Sequence, residues 1–304
     1  MEPIKNSPFA KVGQVGTVVR DMDKVVDYYA SLGIGPFGPP RQIVTYHEYQ
    51  GKPVAAKAKF LLTNMGEVDF ELIQPLGGPS IWQDFLDKKG EGLHHLGFFV
   101  ENIDQEEKNL TSQGINVTQK GKSDKGGYTY FDTDRVGGVV FELIQKPEGV
   151  EIAKTKADGN PFAVLHQAAG VVTDIDKAVE HYAWLGVGPF KPMKIVITDK
   201  WVRGTPVQLK TKALITQLGP LEFELLQPVE GPSVYWEYLR KTGGEGLQHL
   251  GFFLDNLEEE SEKLFKKGVK PTQQGRGPSD GFDYFETDEI GGVVLEFVRR
   301  GPQD

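Results

Sequence analysis

The chain contains no cysteine, which removes disulfides and thiolate metal sites from consideration. No run of residues approaches the roughly 18 consecutive apolar positions of a membrane span. The opening Met1-Glu2-Pro3-Ile4-Lys5 holds no apolar stretch of signal-peptide length. A cytoplasmic location and no membrane partner are therefore expected. Basic charge is scarce: 34 Lys and Arg stand against 43 Asp and Glu, a net charge of −9. An acidic surface repels phosphate backbones, so nucleic acid is not an expected partner. The one local basic patch, Lys120, Lys122 and Lys125, reads as a solvated loop. Motifs of other chemistries are also missing. Gly121-Lys122-Ser123 resembles the end of a phosphate loop, but Asn116 stands where its first glycine is required. His47-Glu48 has Gly51 in place of a zinc-protease second histidine, and no GxSxG nucleophile elbow occurs.

What is present is a globular composition, 38% hydrophobic and 25% charged over 304 residues, which is enough chain for two domains. The dominant feature is a tandem repeat. Val18–Phe37 reads VVRDMDKVVDYYASLGIGPF, and Val171–Phe190 reads VVTDIDKAVEHYAWLGVGPF. FELIQP at Phe70 returns as FELLQP at Phe223; GEGLHHLGFFV at Gly90 returns as GEGLQHLGFFL at Gly244; TDRVGGVVFEL at Thr133 returns as TDEIGGVVLEF at Thr287. The expected division is a first domain over 8–146, a linker over 147–160 with little hydrophobic periodicity, and a second domain over 161–300.

A fainter repeat lies inside each half. Strand-like QVGTVV from Gln14 and HLGFFV from His95 are each followed by an acidic turn and a helix, expected over 24–32 and 105–113. Asp21, Asp23 and Asp104 are candidates to cap these helices, and Gly33 and Gly114 to end them. Two or three short strands follow, ending in FELIQ both times. Each half is thus two β-α-β-β-β units, and the fold class is α+β: four such units in two domains, with cupped mixed sheets and helices on the outer face. An extra helix over 80–88, with a counterpart over 233–241, joins the units and carries Ile81, Trp82 and Phe85 at core-packing spacing.

Strands alternate faces with period two. Val68, Phe70 and Leu72 share one face, as do Leu96, Phe98 and Val100, and Val139, Phe141 and Leu143. The opposite faces carry Glu71, His95 and Glu142, together with Gln14 from the first strand. The second half repeats the set as Gln167, Glu224, His249 and Glu296, with the same intervals but for one inserted residue. If the two units of a half share one cup, each set converges inside it. Nitrogen and oxygen ligands of this kind suit a divalent Zn, Co, Ni, Mn or Fe ion, and two carboxylates neutralise it while leaving positions for substrate.

These segments resemble the vicinal-oxygen-chelate superfamily, which includes methylmalonyl-CoA epimerase, glyoxalase I and the extradiol dioxygenases. In style, with GxGPF, ELIQP and GEGLHHLGFF, the resemblance is nearest to the epimerases, duplicated in tandem. It implies metal ligands at Gln14, Glu71, His95 and Glu142, and at Gln167, Glu224, His249 and Glu296. The epimerase pattern has His at the first place, where this chain has Gln14 and Gln167; some glyoxalases have Gln there. The resemblance further implies an isomerase or lyase that removes the proton next to a carbonyl through a metal-stabilised enediolate, with Glu142 and Glu296 as bases. Glu48, which has no matching Glu in the second half, is a further candidate base; His47 beside it reads as structural. Tyr130 and Tyr284 match across the copies, as packing residues or as donors to a substrate oxygen. The expected partner is a small carbonyl substrate, with a CoA thioester among the options, and a homo-oligomer is compatible with the sequence. Alternatives of the same fold are a ring-cleaving dioxygenase, which Gln167 disfavours because iron there needs His, and a non-catalytic small-molecule binder.

Overall fold

Among the described residues, five helices start where a short polar side chain satisfies a free backbone N–H group; a sixth, Leu257–Lys266, starts at Asn256 without such a bond. Asp21 accepts from the Lys24 N–H to open Met22–Leu32, Ser80 from Gln83 to open Ile81–Lys89, and Asn102 from Gln105 to open Ile103–Ser112. Asp174 and Ser233 do the same for Ile175–Trp184 and Val234–Thr242. The third helix is therefore capped by Asn102, two residues ahead of the expected Asp104. A computed structural model describes residues 3–123, 126–147, 149 and 151–301, and of residues 41–46 the backbone alone. Lys125 of the basic patch lies outside the described residues. No described helix is long and apolar enough to cross a membrane.

Each half contributes one curled mixed sheet, nine-stranded in the first and ten-stranded in the second. At the centre of the first, Val12–Val18 runs parallel to Val68–Gly77 and antiparallel to Gly92–Phe99, which runs parallel to Val140–Gln145. Gln167–Val171, Leu221–Glu230, Gly246–Phe253 and Val294–Arg299 repeat this in the second. The edges differ. Arg41–Tyr49 pairs with Lys52–Met65 on one side and with Val117–Ser123 on the other, closing the first sheet on itself. In the second, Asp199–Val202 pairs with Pro271–Arg276 and with Thr205–Pro206, while Lys210–Leu218 pairs with Leu221–Glu230 and Lys191–Pro192. Among the described residues no ladder joins those two groups, so the second sheet stays open. The segment expected to be an unpaired linker adds a short strand, Ala153–Lys154, beside Lys52–Met65.

The apolar faces of both sheets and the helices Met22–Leu32 and Ile175–Trp184 form one continuous core that runs between the halves. Tyr182 stacks on Phe141 of the first half and meets Phe223 of its own half edge-on. The contacts are reciprocal. Gly137 and Gly291 adopt left-handed φ values of 79° and 83°, and a Cβ there would lie 2.4 Å from the Tyr182 hydroxyl and 2.9 Å from the Tyr29 hydroxyl. The Glu245 carboxylate accepts from the Thr173 and Gly137 N–H groups at 2.7 and 2.8 Å. Glu91 accepts from the Arg20 and Gly291 N–H groups at 2.6 and 3.2 Å. Each carboxylate thus ties its own half to the turn of the other.

Candidate metal centres

The central strands bring the sequence-predicted residues together. In the first half Gly16 pairs with Glu71 on one side and His95 on the other, and Gly97 pairs with Glu142. The cup floor is tight: a Cβ at Gly16 would lie 1.8 Å from the His95 ring, and one at Gly97 would lie 3.0 Å from the Gln14 Cβ. The second half has the same register, Ala169 between Glu224 and His249 and Gly251 beside Glu296.

All eight residues are buried. His95 Nε2 lies 3.0 Å from Glu142 Oε2, 3.7 Å from Glu71 Oε2 and 3.4 Å from Gln14 Oε1. His249 Nε2 lies 3.2 Å from Glu296 Oε2 and 3.5 Å from Glu224 Oε2. In each half the ligand atoms of the Glu, His and Glu side chains lie within 4.8 Å of one another. Gln167 sits beside its group: its Oε1 and Glu296 Oε2 both crowd the vacant Cβ position of Gly251, at 2.7 and 3.3 Å.

Several of these atoms have no hydrogen-bond partner among the described residues: Glu142 Oε2, Gln167 Oε1, His249 Nε2 and Glu296 Oε2. A buried polar atom left unpaired costs free energy, and a buried carboxylate costs more. Unpartnered acceptors that face one another across a few ångströms are stabilised by a cation. Two carboxylates, one imidazole and one amide oxygen form a donor set that fits a divalent ion.

Neighbours that the sequence reading passed over orient the histidines. Gln248 Oε1 accepts from His249 Nδ1–H at 2.7 Å, which turns Nε2 toward the carboxylates. In the first half the corresponding contact joins His94 Nδ1 and His95 Nδ1 at 3.1 Å. Burial, with His95 and Lys89 nearby, drives the His94 pKa well below its usual value, so a neutral ring is available as acceptor. The signal lay in the sequence: HH and QH stand at matching places. Behind Gln167, whose amide donates to Glu222 at 2.7 Å, Arg300 pairs with Glu222 at 2.5 and 2.9 Å and stacks on Phe253. Lys146, Asp69 and Phe99 form the matching group in the first half.

Without a cation, burial favours the uncharged forms, protonated for the carboxyls and deprotonated for His95. It lifts Glu142 to about 8, lowers His95 to about 3, and raises Glu224 to about 7. For His249 burial works against the charge, but Glu296 and Glu224 outweigh it and raise the ring to about 9. Tyr130 and Tyr284 are buried against the imidazoles, ring centroids 5.2 and 4.8 Å away, and burial holds both phenols well above their usual pKa.

The two cups differ above the floor. In the first, Trp82 is buried and packs against Phe60, Tyr128, Tyr130 and His47, with Tyr130 between it and His95. Glu48 and His47 line a separate cavity of about 610 Å³ with Ile103, Glu107 and Lys120, and none of the four predicted ligands borders it. Within it Lys120 pairs with Glu107 at 2.7 Å, and Lys122 pairs with Asp104. In the second half Tyr235 stands in the place of Trp82. A cavity of about 390 Å³ reaches Gln167, Glu224, Glu296 and Tyr284, under walls that include Met193, Ile197 and Phe282.

The sequence profile described as "Glyoxalase/Bleomycin resistance protein/Dioxygenase superfamily" matches residues 13–131 and again 166–285. The chain belongs to this superfamily, whose members characteristically bind a divalent metal. Among curated proteins it is 32% identical over 88 residues to the uncharacterized protein YqjC of Bacillus subtilis (strain 168). That match covers 28% of this chain and 61% of the relative. Among solved structures, a triple mutant of 4-hydroxymandelate synthase from Streptomyces coelicolor superposes with a TM-score of 0.61 at 13% identity, over 100% of this chain and 94% of that one. A fusion of a xylose isomerase-like TIM barrel with a 4-hydroxyphenylpyruvate dioxygenase superposes with a TM-score of 0.53 at 14% identity, over 100% of this chain and 51% of that one. These likenesses establish the tandem vicinal-oxygen-chelate fold.

Proposed function

We propose that the protein is a metal-dependent isomerase or lyase acting on a small carbonyl substrate, with its working centre in the second half. The observation that carries this reading is a cluster of buried ligand atoms that face one another with their hydrogen bonding unsatisfied, bordered by an open cavity. Gln167, Glu224, His249 and Glu296 would hold the ion. A divalent cation at such a site supplies Lewis-acid polarisation of a carbonyl or of two adjacent oxygens. The chain's own groups do the remaining work. Glu296 presents a carboxylate oxygen to the cavity side of the cluster and takes the proton next to the polarised carbonyl. Tyr284 accepts a hydrogen bond from the Tyr235 hydroxyl at 3.0 Å and stays protonated, so its own O–H is free to donate to a substrate oxygen. Apolar walls exclude water around the transferred proton.

In the first half Tyr130 lies between Trp82 and His95 of the matching set, and we assign that set a structural ion held by Gln14, Glu71, His95 and Glu142. Glu48, bordering a different cavity, takes no part. Incubation in D₂O with candidate carbonyl acids or thioesters tests the function: deuterium should enter the carbon next to the carbonyl, stop on chelation and return with added metal. Exchange that persists through chelation would overturn it.

A dioxygenase, the ring-cleaving kind among them, is the second reading, suggested by the superposition on a fusion protein that contains a 4-hydroxyphenylpyruvate dioxygenase. It requires that Gln167 serve where such iron sites have His. Oxygen uptake by the Fe(II)-loaded protein, without deuterium exchange, would select it.

A further inference from the structure

The walls of the second-half cavity carry an uneven charge. Toward the floor lie Glu224 and Glu296, which a divalent ion would neutralise. Arg300 also borders the cavity, but its guanidinium is already matched by Glu222 through two hydrogen bonds. Lys200 and Lys210 remain. Both line the cavity, and neither forms an ion pair among the described residues. Lys200 makes one long contact, 3.5 Å from its Nζ to the Leu209 carbonyl, and Lys210 is exposed. The neighbouring Lys212, by contrast, pairs with Asp176 on the outside of the same strand. Leu226 lies on its strand between Glu224 and the Glu230 that pairs in register with Lys210, and Met193, Ile197 and Phe282 line the same cavity. The first half has His47 at the place of Lys200, on the equivalent strand, one residue before the turn-proximal Glu48 that matches Trp201.

Resting on the reading of this site as a metal centre, we propose that Lys200 and Lys210 set its specificity. The substrate is amphipathic: one end carries the oxygens that meet the cluster, an apolar stem crosses the middle of the cavity, and an anionic group at the far end is held by the two lysines. The net positive mouth attracts such an anion over its neutral analogue, and more strongly at low ionic strength. The apolar stem gives affinity without regard to charge.

The test uses the full-length protein loaded with Co(II) and three hydroxamates that share one chelating head and one chain length. These are octanohydroxamate with a neutral tail, suberic acid monohydroxamate with a carboxylate tail, and the amino-terminated analogue. Change in the Co(II) absorption spectrum reports head binding. The carboxylate-tailed probe should bind about tenfold more tightly than the neutral one at low salt, and the amino-tailed probe more weakly than either. The preference should shrink at high salt and vanish in the Lys200→Met/Lys210→Met variant, which should keep its affinity for octanohydroxamate. Equal affinity for all three probes, or a preference that survives in the variant, overturns the proposal while leaving the metal centre standing. No spectral change with any probe overturns the metal centre, and this inference falls with it.

Discussion

The two halves share a floor and differ in what stands over it. Both place a Gln, two Glu and a His on equivalent strands, with His-to-Glu distances of 3.0 and 3.7 Å in one and 3.2 and 3.5 Å in the other. Over the first floor, Arg41–Tyr49 closes the sheet and Trp82 packs against Tyr130. Over the second, the strand pairing stops short, Tyr235 replaces Trp82, and a cavity of about 390 Å³ remains. The difference teaches that a ligand set and a reaction chamber are separable properties of this fold. Central strands fix the first through register; edge strands and one helix fix the second.

The sharpest way to break this comparison is to remove one imidazole at a time. His249→Ala should lose one metal ion per chain by elemental analysis and all measurable hydroxamate binding. His95→Ala should also lose one ion, yet bind the probe as the wild type does. Equal loss of probe binding in both variants would end the assignment of the working centre to the second half.

Next in size is the aromatic cluster. Trp82→Ala removes a fully buried indole and should cost about 3–5 kcal/mol in denaturant-monitored stability. Tyr235→Ala, whose ring borders an existing cavity, should cost less. A smaller Trp82 effect would mean that the indole is not packed in the way described.

The clamps between the halves should respond alike. Glu91→Ala and Glu245→Ala each strip charge-assisted hydrogen bonds from two backbone N–H groups on opposite halves. Each should cost about 2 kcal/mol, discounted for partial exposure, by the same unfolding measurement. A large inequality would show that the pseudo-symmetry of the junction is not energetic.

The smallest effect is that of pH on metal affinity. Burial lifts Glu142 to about 8 and Glu224 to about 7, so both carboxyls carry protons at lower pH that a cation must displace. Affinity at each centre should therefore rise with pH, by up to about tenfold per unit below the shifted value, with protons released on binding. Isothermal titrations in buffers of different ionisation enthalpy measure that release. An affinity flat between pH 6 and about 8 would contradict it.

Much of this was legible in the sequence because period-two alternation is a local signal. Glu71 between Phe70 and Leu72, or Glu142 between Phe141 and Leu143, is out of place on an apolar strand whichever strand lies beside it. Their convergence was legible only as a condition, that the two units of a half share one cup; the strand register supplies it. The helix starts were legible for a similar reason, since caps act within one turn; Asn102 in place of Asp104 is a slip within that turn. What escaped depends on long-range partners. Arg41–Tyr49 and its counterpart are both strand-like, and nothing local says that one finds an edge to pair with while the other peels away. Trp82 reads as core from its spacing, but whether that core is the outer layer or the inside of the cup depends on the helix's docking. Glu48, a second candidate base in the sequence, lines a cavity that none of the first half's four candidate ligands borders. The short strand Ala153–Lys154 was hidden because a two-residue edge pairing leaves no periodicity.

The reciprocal hold of Glu91 and Glu245 has the form of a two-fold dimer whose partners have been joined end to end. In a true homodimer every substitution is made twice, so walling up one chamber would wall up both. Fusion lifts that restriction: one copy is free to become ballast while the other keeps its doorway.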